Sequence, residues 1–369
     1  MKHNFFVYVL AALILLIGIP ASGLAVSEGD YQDQYNNLVK PDYLSGYFGS
    51  FTGVDDIKIA YVKYDRLNKN SSDNAYRGAL VIQHGDTESY RKYAELVYDL
   101  KIFREKGYDV FLMDVRGQGY SERMLFNHYK DYVKDFDDYV TDFSVFIETI
   151  VKADNPPKLL LISHSLGGCI TFRYMQKNPD TFDAAVMSSP MLKPWTGDLE
   201  DEVAYKIAKT AVKLGLGKLY AAGESYFGES IGATNKFLIP AKFKNNEVTN
   251  SPERWTSWND IRQENCNELD VNGHAFNFVY ESMKDSRVAR DPENVALMKT
   301  PMLILVAEDD KIVDTEVYTD VEIDMNNAGG SCETKYYLND SMHELFMEKD
   351  IIRNKVIEDT LSFFADYLY

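Results

Sequence analysis

The sequence predicts an α/β fold: a doubly wound, mostly parallel sheet with an inserted, mostly helical cap. Three observations carry this. Short continuous apolar runs at 79–83, 109–115, 159–163, 184–188 and 302–307 read as parallel strands buried on both faces, which need no polar side. Between them lie helical periods, the clearest being Phe136, Tyr139, Val140, Phe143, Phe146, Ile147 and Ile150 at spacings of three and four. The alternation then stops from about 191 to 295, a stretch so long that it must fold as its own unit above the sheet.

In chain order, the segment Met1 to Val26 has a basic start at Lys2, is uncharged and apolar from Phe5 to Ile19, and ends on the small residues Ala21, Gly23 and Ala25. That is the pattern of an export signal, so residues 1–25 are expected to be removed and the mature protein to be secreted or periplasmic. The alternative is an uncleaved membrane anchor, because Phe5 to Val26 is uncharged over about 22 residues. Residues 27–50 read as a polar, tyrosine-rich leader. The alternation in Ile57–Tyr64 then suggests an antiparallel edge strand. With the leader included, the first part of the sheet core spans 26–190, the cap takes 191–295, and 296–369 complete the core with a short strand at Lys335–Leu338 and a final helix marked by Ile352, Val356, Leu361 and Phe364. All three tryptophans, Trp195, Trp255 and Trp258, fall in the cap. They serve there either as an acyl-binding or membrane-facing wall or as glue between cap and core.

At 369 residues, 45% hydrophobic and 13% aromatic, the chain can bury a large core, or a core plus an insertion. The formal charge of −18 argues against nucleic acid, whose phosphates need clustered Lys and Arg, and it weakens attraction to anionic lipid. Transient contact with a membrane surface through the cap would therefore be hydrophobic. Three cysteines, Cys169, Cys266 and Cys332, are too few for a disulfide framework. Cys169 reads as a core thiol, and a bridge between Cys266 and Cys332 is left open. No two cysteines or histidines have chelate spacing, so no metal is expected.

The chemistry concentrates where the apolar strand Leu160-Leu161-Ile162 runs straight into Ser163-His164-Ser165-Leu166-Gly167-Gly168. A serine hydroxyl is a poor nucleophile unless a sharp strand-to-helix turn presents it to a base and to backbone donors. Small residues two before and two after Ser165, here Ser163 and Gly167, let such a turn close. Six histidines compete for the role of base. His3 lies in the targeting segment, His164 inside the turn, and His128 in a polar loop. His84 ends the strand Ala79–Gln83 and shapes the loop that follows. His274 belongs to the insertion, where it either meets a polar head group or packs within the cap. His343, after a short strand and before the last helix, is the remaining choice. Between Ser165 and His343, the strand Pro301–Ala307 ends in Glu308-Asp309-Asp310-Lys311-Ile312-Val313-Asp314. Asp310 is the preferred acid to orient the imidazole, with Asp309, Asp314 and Glu308 as competitors. Glu88 reads either as an acid behind the loop after His84 or as a solvated carboxylate. Arg116-Gly117-Gln118-Gly119 lacks the third glycine and the lysine of a phosphate loop and reads as a tight turn.

These residues, in the order serine, acid, histidine, resemble the α/β-hydrolase superfamily, specifically its monoacylglycerol lipase and bacterial lysophospholipase branch of serine aminopeptidase-like hydrolases. Further similarities are Phe51-Thr52-Gly53-Val54-Asp55-Asp56, His84-Gly85 with Glu88-Ser89-Tyr90 and Lys92-Tyr93, and Asp114-Val115-Arg116-Gly117-Gln118-Gly119-Tyr120-Ser121. Others are Asp135-Phe136-Asp137-Asp138, Ser188-Ser189-Pro190-Met191-Leu192, His343-Glu344, and the cap segments Ser251-Pro252-Glu253-Arg254 and Glu281-Ser282. The likeness implies an eight-stranded sheet and a serine carboxylester hydrolase cleaving the acyl ester of single-chain lipids, lysophospholipid or monoacylglycerol, through an acyl-enzyme. It implies no cofactor. Ser165 would be the nucleophile, His343 the base and Asp310 its partner, with the backbone N–H groups of Asp86 and Leu166 as oxyanion donors. The same fold also serves exported short-chain esterases and proline-releasing aminopeptidases, and a non-catalytic binding protein is the alternative from another class. Two departures stand out. Ser163 occupies a place where the turn usually has glycine, and Asp86 puts a carboxylate beside an oxyanion donor, where it would oppose the developing charge unless it points away.

Overall fold

The computed structural model describes residues 25–67, 69, 75–222 and 243–368. Its strands are β1 (Tyr47–Thr52), β2 (Lys58–Tyr64), β3 (Gly78–Gln83), β4 (Tyr108–Met113), β5 (Leu159–His164), β6 (Ala184–Ser188), β7 (Met302–Ala307) and β8 (Cys332–Tyr337). They form one eight-stranded sheet in the order β1-β2-β4-β3-β5-β6-β7-β8. The first two are antiparallel, and β4, β3, β5, β6, β7 and β8 run parallel. Alternate residues of one strand feed opposite sides: in β3, Ala79 and Val81 join one core, Leu80 and Ile82 the other. That is why the central strands read as unbroken apolar runs.

Helices α1 (Ala94–Asp99) and α8 (Asp350–Ala365) bury Val97, Val356 and Phe364 on one face of the sheet. On the other, α2 (Phe136–Thr149), α3 (Ser165–Lys177) and α7 (Val317–Asn327) bury Phe143, Phe172 and Val321. Asp135 caps α2 by accepting the N–H of Asp137. Between β6 and β7 lie the cap helices α4 (Asp201–Lys213), α5 (Pro252–Glu264) and α6 (Phe276–Ala289), with α4 packed on α6.

Two sequence expectations change, and one question left open is answered. β2 is not the sheet edge, because β1 pairs with it from Tyr47↔Lys63 to Thr52↔Lys58. β1 escaped notice because it is largely exposed and lacks apolar alternation. Nor is the segment after residue 26 merely a polar leader. Tyr31, Tyr35, Val39 and Tyr43 recur every fourth residue along helical turns and are buried, with Arg254 of α5 clamping the carbonyl of Val26 at 2.8 Å. Thirdly, Cys266 and Cys332 are free thiols, as is Cys169: Cys266 belongs to a short cap helix, whereas Cys332 starts β8. Residues 1–24, which hold the export-signal reading and His3, lie outside the described residues. No helix among the described residues is long and apolar enough to cross a membrane.

Candidate active site

Because β3, β5, β7 and β8 are parallel, the loops leaving their C-terminal ends emerge along one edge of the sheet, and these loops carry the candidate residues. Ser165 follows β5 directly, starts α3, and has φ of +49°. A non-glycine residue held there costs about 1–3 kcal/mol, which the surrounding packing must offset. The close approach on either side demands glycine. A Cβ on Gly167 would lie 2.2 Å from the carbonyl oxygen of His84, and one on Gly85 would lie 3.0 Å from Cβ of Ser165. The loop after β3 is thus pressed against the serine. Ser163 is accommodated inside β5, fully buried, with no hydrogen-bond partner for its hydroxyl.

Asp310 meets His343, Oδ2 to Nδ1, at 2.8 Å. Its other oxygen accepts the N–H groups of Ile312 and Val313 at 2.9 and 3.0 Å. Burial opposes its ionisation, but the imidazole and these donors outweigh burial and hold the carboxyl below its usual range. The carboxylates of its competitors are engaged elsewhere: Asp309 with Lys311, Asp314 with Lys193, and Glu308 with the N–H of Asp340. The His343 ring lies 4.7 Å from that of His164, the residue before Ser165. Burial pushes His164 down to about 3, so it stays neutral beside His343. Ser165 and His343 make no direct hydrogen bond, a looseness common before substrate binds.

The loop after β3 is fixed from behind. His84 meets the carbonyl of Gly85 through Nδ1 at 2.7 Å and accepts the N–H of Val115 at Nε2, 3.0 Å away. Glu88 is buried, not solvated. It accepts the Gly85 N–H and the Tyr93 hydroxyl at 2.8 Å each, and pairs with Lys92, which also binds Glu344 at 2.5 Å. Asp114 takes the Ser89 hydroxyl at 3.0 Å and the Tyr90 N–H at 2.5 Å, stapling this loop to the next. The turn at Arg116–Gly119 is structural, with Arg116 buried on Asp142 at 2.6 Å. A cavity behind the site is lined by Tyr31, Tyr35, Lys92, His164, Trp258 and Glu344.

The Asp86 carboxylate is turned to the cap: His274 Nε2 lies 2.6 Å from Oδ2, and Gln118 donates to Oδ1 at 2.8 Å. Burial works against its charge, yet His274, Asp131 and Gln118 together keep it below the usual range. Neighbouring Asp131 is fully buried and pushed well up by burial and by Asp86. Two groups bring carboxylates and an imidazole within 4.8 Å, namely Asp86–Asp131–His274 and Glu88–His164–Glu344. In the second Lys92 already supplies the cation, and in the first the His274 nitrogen is spent on Asp86.

Residues 74–350 match the family described as serine aminopeptidase, S33. The chain belongs to that family. This S33 hydrolase is 28% identical to lysophospholipase L2 of Escherichia coli over 319 residues, covering 85% of the chain and 86% of the relative. It is also 28% identical to a monoacylglycerol lipase of Mycolicibacterium smegmatis, over 46% of the chain and 54% of the relative. A thermostable carboxyl esterase of Bacillus coagulans superposes with a TM-score of 0.65 at 19% identity, covering 88% of the chain and 99% of the esterase. Monoglyceride lipase of Saccharomyces cerevisiae gives 0.61 at 17%, covering 88% and 97%. At such identities the two structures show the shared α/β-hydrolase fold. Sequence reasoning did not anticipate the Lys92–Glu344 pair or the His274–Asp86 contact. The motif Glu88-Ser89-Tyr90 with Lys92-Tyr93 was the available signal for the first; nothing local signals the second.

Proposed function

We propose that this S33 hydrolase cleaves the acyl ester of single-chain lipids, lysophospholipids or monoacylglycerols, through an acyl-enzyme on Ser165. The observation that carries the reading is the His343–Asp310 pair, whose imidazole lies 4.7 Å from the ring of His164, the neighbour of a serine held in a strained turn. In this reading Ser165 Oγ attacks the ester carbonyl while His343 Nε2 takes its proton, then returns it to the leaving alcohol. Water repeats the cycle on the acyl-enzyme and releases the fatty acid. Asp310 holds the imidazole with Nε2 free for this exchange. The N–H groups of Leu166 and Asp86 receive the oxyanion, each worth about 10²–10³ in rate. The choice of a lipid ester is supported by the relatives named lysophospholipase L2 and monoacylglycerol lipase.

The cap supports contact with a lipid surface. Trp195, Leu199, Val203, Ile207, Leu214 and Leu219 are all exposed, an apolar rim on a chain whose net charge of −18 would not itself draw it to anionic lipid. Residues 1–25 act as an export signal in this reading, supported by the basic start, apolar stretch and small-residue end. Intact mass of the mature protein checks that directly.

The deciding experiment is hydrolysis of lysophosphatidylcholine, monoolein, p-nitrophenyl esters of increasing length and a proline arylamide. Preference for long single acyl chains, with no arylamide cleavage, is expected. Faster cleavage of acetate or of the arylamide would overturn the lipid reading.

A further inference from the structure

An oxyanion donor with its own carboxylate side chain presents a problem that the cap solves. Asp86 follows His84-Gly85, and Gly85 is the residue whose Cα backs onto Ser165. A free carboxylate on the neighbouring residue would place negative charge next to the forming oxyanion. The structure instead carries that carboxylate away in a relay that begins in the cap. His274 Nε2 holds Oδ2 at 2.6 Å, Gln118 holds Oδ1 at 2.8 Å, and the same Gln118 nitrogen reaches Asp131 Oδ2 at 3.0 Å. The cap segment around His274 is registered against the core to make this happen. Asp131 N–H donates to Gly273 O at 3.0 Å and Ala275 N–H donates to Asp131 O at 2.9 Å, so His274 is bracketed by two backbone bonds to the core. Its ring is further fixed by stacking on Phe278, 4.8 Å away and 17° from parallel.

We propose that His274 is a positioning residue for ester hydrolysis: it holds the Asp86 carboxylate off the oxyanion side of the loop and offsets its charge, so that the Asp86 N–H can serve as a donor only while the cap is seated. The inference rests on the reading of Ser165 as nucleophile and of Asp86 as oxyanion donor. It assigns the cap a direct part in the chemical step, distinct from substrate binding. The groups bearing on the relay are Asp86, Asp131, Gln118 and Tyr139, with Arg116 beyond Tyr139.

The test is steady-state hydrolysis of p-nitrophenyl butyrate by the full-length mature enzyme and four variants, with thermal melts as a control on folding. His274→Ala should lower kcat about tenfold with little change in KM, a fraction of the value of one oxyanion donor. Adding Asp86→Ala, which removes the carboxylate and keeps the N–H, should recover most of that loss. His274→Gln, which retains bulk and a donor but no charge, should fall between wild type and His274→Ala, and it replaces the alanine variant if that one melts early. A double variant as slow as or slower than His274→Ala, or a His274→Ala change expressed in KM alone, would overturn the inference and leave a cap-docking histidine. Ser165→Ala separates the two levels: if it abolishes turnover while His274→Ala has no effect, only this inference fails, and if it retains full turnover the underlying reading fails as well.

Discussion

Two Asp–His pairs flank the serine, and they differ in how they are held. Asp310 and His343 meet at 2.8 Å with side chains 0% and 4% exposed, both on loops that continue core strands. Asp310 is steadied by two N–H groups of its own loop. Asp86 and His274 meet at 2.6 Å with side chains 20% and 24% exposed, across the seam between core and cap. The first pair lies within the core, on loops that follow β7 and β8, and the cap touches it through the backbone beside it: Trp195 N–H donates to Ile312 O, Asp314 N–H to Lys193 O and Glu344 N–H to Val248 O. The second exists only through a contact 188 residues distant in sequence. In the proposed mechanism, proton transfer rests on a pair within the core and oxyanion stabilisation on a pair that crosses the seam.

The sharpest way to break this contrast is to attack the sheet-borne side. Ser165→Ala or His343→Ala should lower kcat by about 10⁴-fold or more, and fluorophosphonate labelling should vanish in Ser165→Ala. Retained labelling there would point to another nucleophile. Asp310→Asn keeps the shape but disturbs the tautomer and removes the charge, so a loss of about 10⁴-fold in kcat is expected with little change in stability. Asp309→Asn, one residue earlier and paired with Lys311 at the surface, should change kcat by less than about twofold. Equal losses in the two asparagine variants would mean that the Asp310–His343 contact does not set the rate.

How much of this was open to sequence reading follows from the same division. Ser165, Asp310 and His343 each follow a strand, so the apolar runs pointed to the loops that hold them, and parallel strands buried on both faces gave those runs their unbroken character. Asp310 could not be separated from Asp309 or Asp314 until their partners were visible, because consecutive acids differ only in which way the loop turns them. His274 gave no signal, since its partner Asp86 is fixed by how the cap seats. β1 and the helical turns bearing Tyr31 and Tyr35 were missed for a related reason. Their burial is against other elements of the chain, not along a continuous apolar run.

Glu88 tests the ground between the pairs, with a smaller effect. Burial disfavours its charge, but the ammonium of Lys92 held against it outweighs burial and keeps its carboxyl well below the usual range. A depressed carboxyl stabilises the folded state above the pKa of the unfolded chain, about 4.3 for glutamate, and loses that contribution as pH falls below it. Glu88→Gln should therefore cost about 2 kcal/mol at pH 7 by urea denaturation, the scale of a charge-assisted hydrogen bond. The gap between wild type and variant should narrow steadily below about pH 4.3. Lys92 keeps one partner in the variant, because Glu344 still binds it. The effect on kcat should be only several-fold, since the Gly85 N–H loses a strong acceptor and the loop loosens without losing a donor to substrate. A stability gap that stays constant down to pH 3 would show that Glu88 contributes through packing alone, and the loop beside Ser165 would then be held by His84 and Asp114 instead.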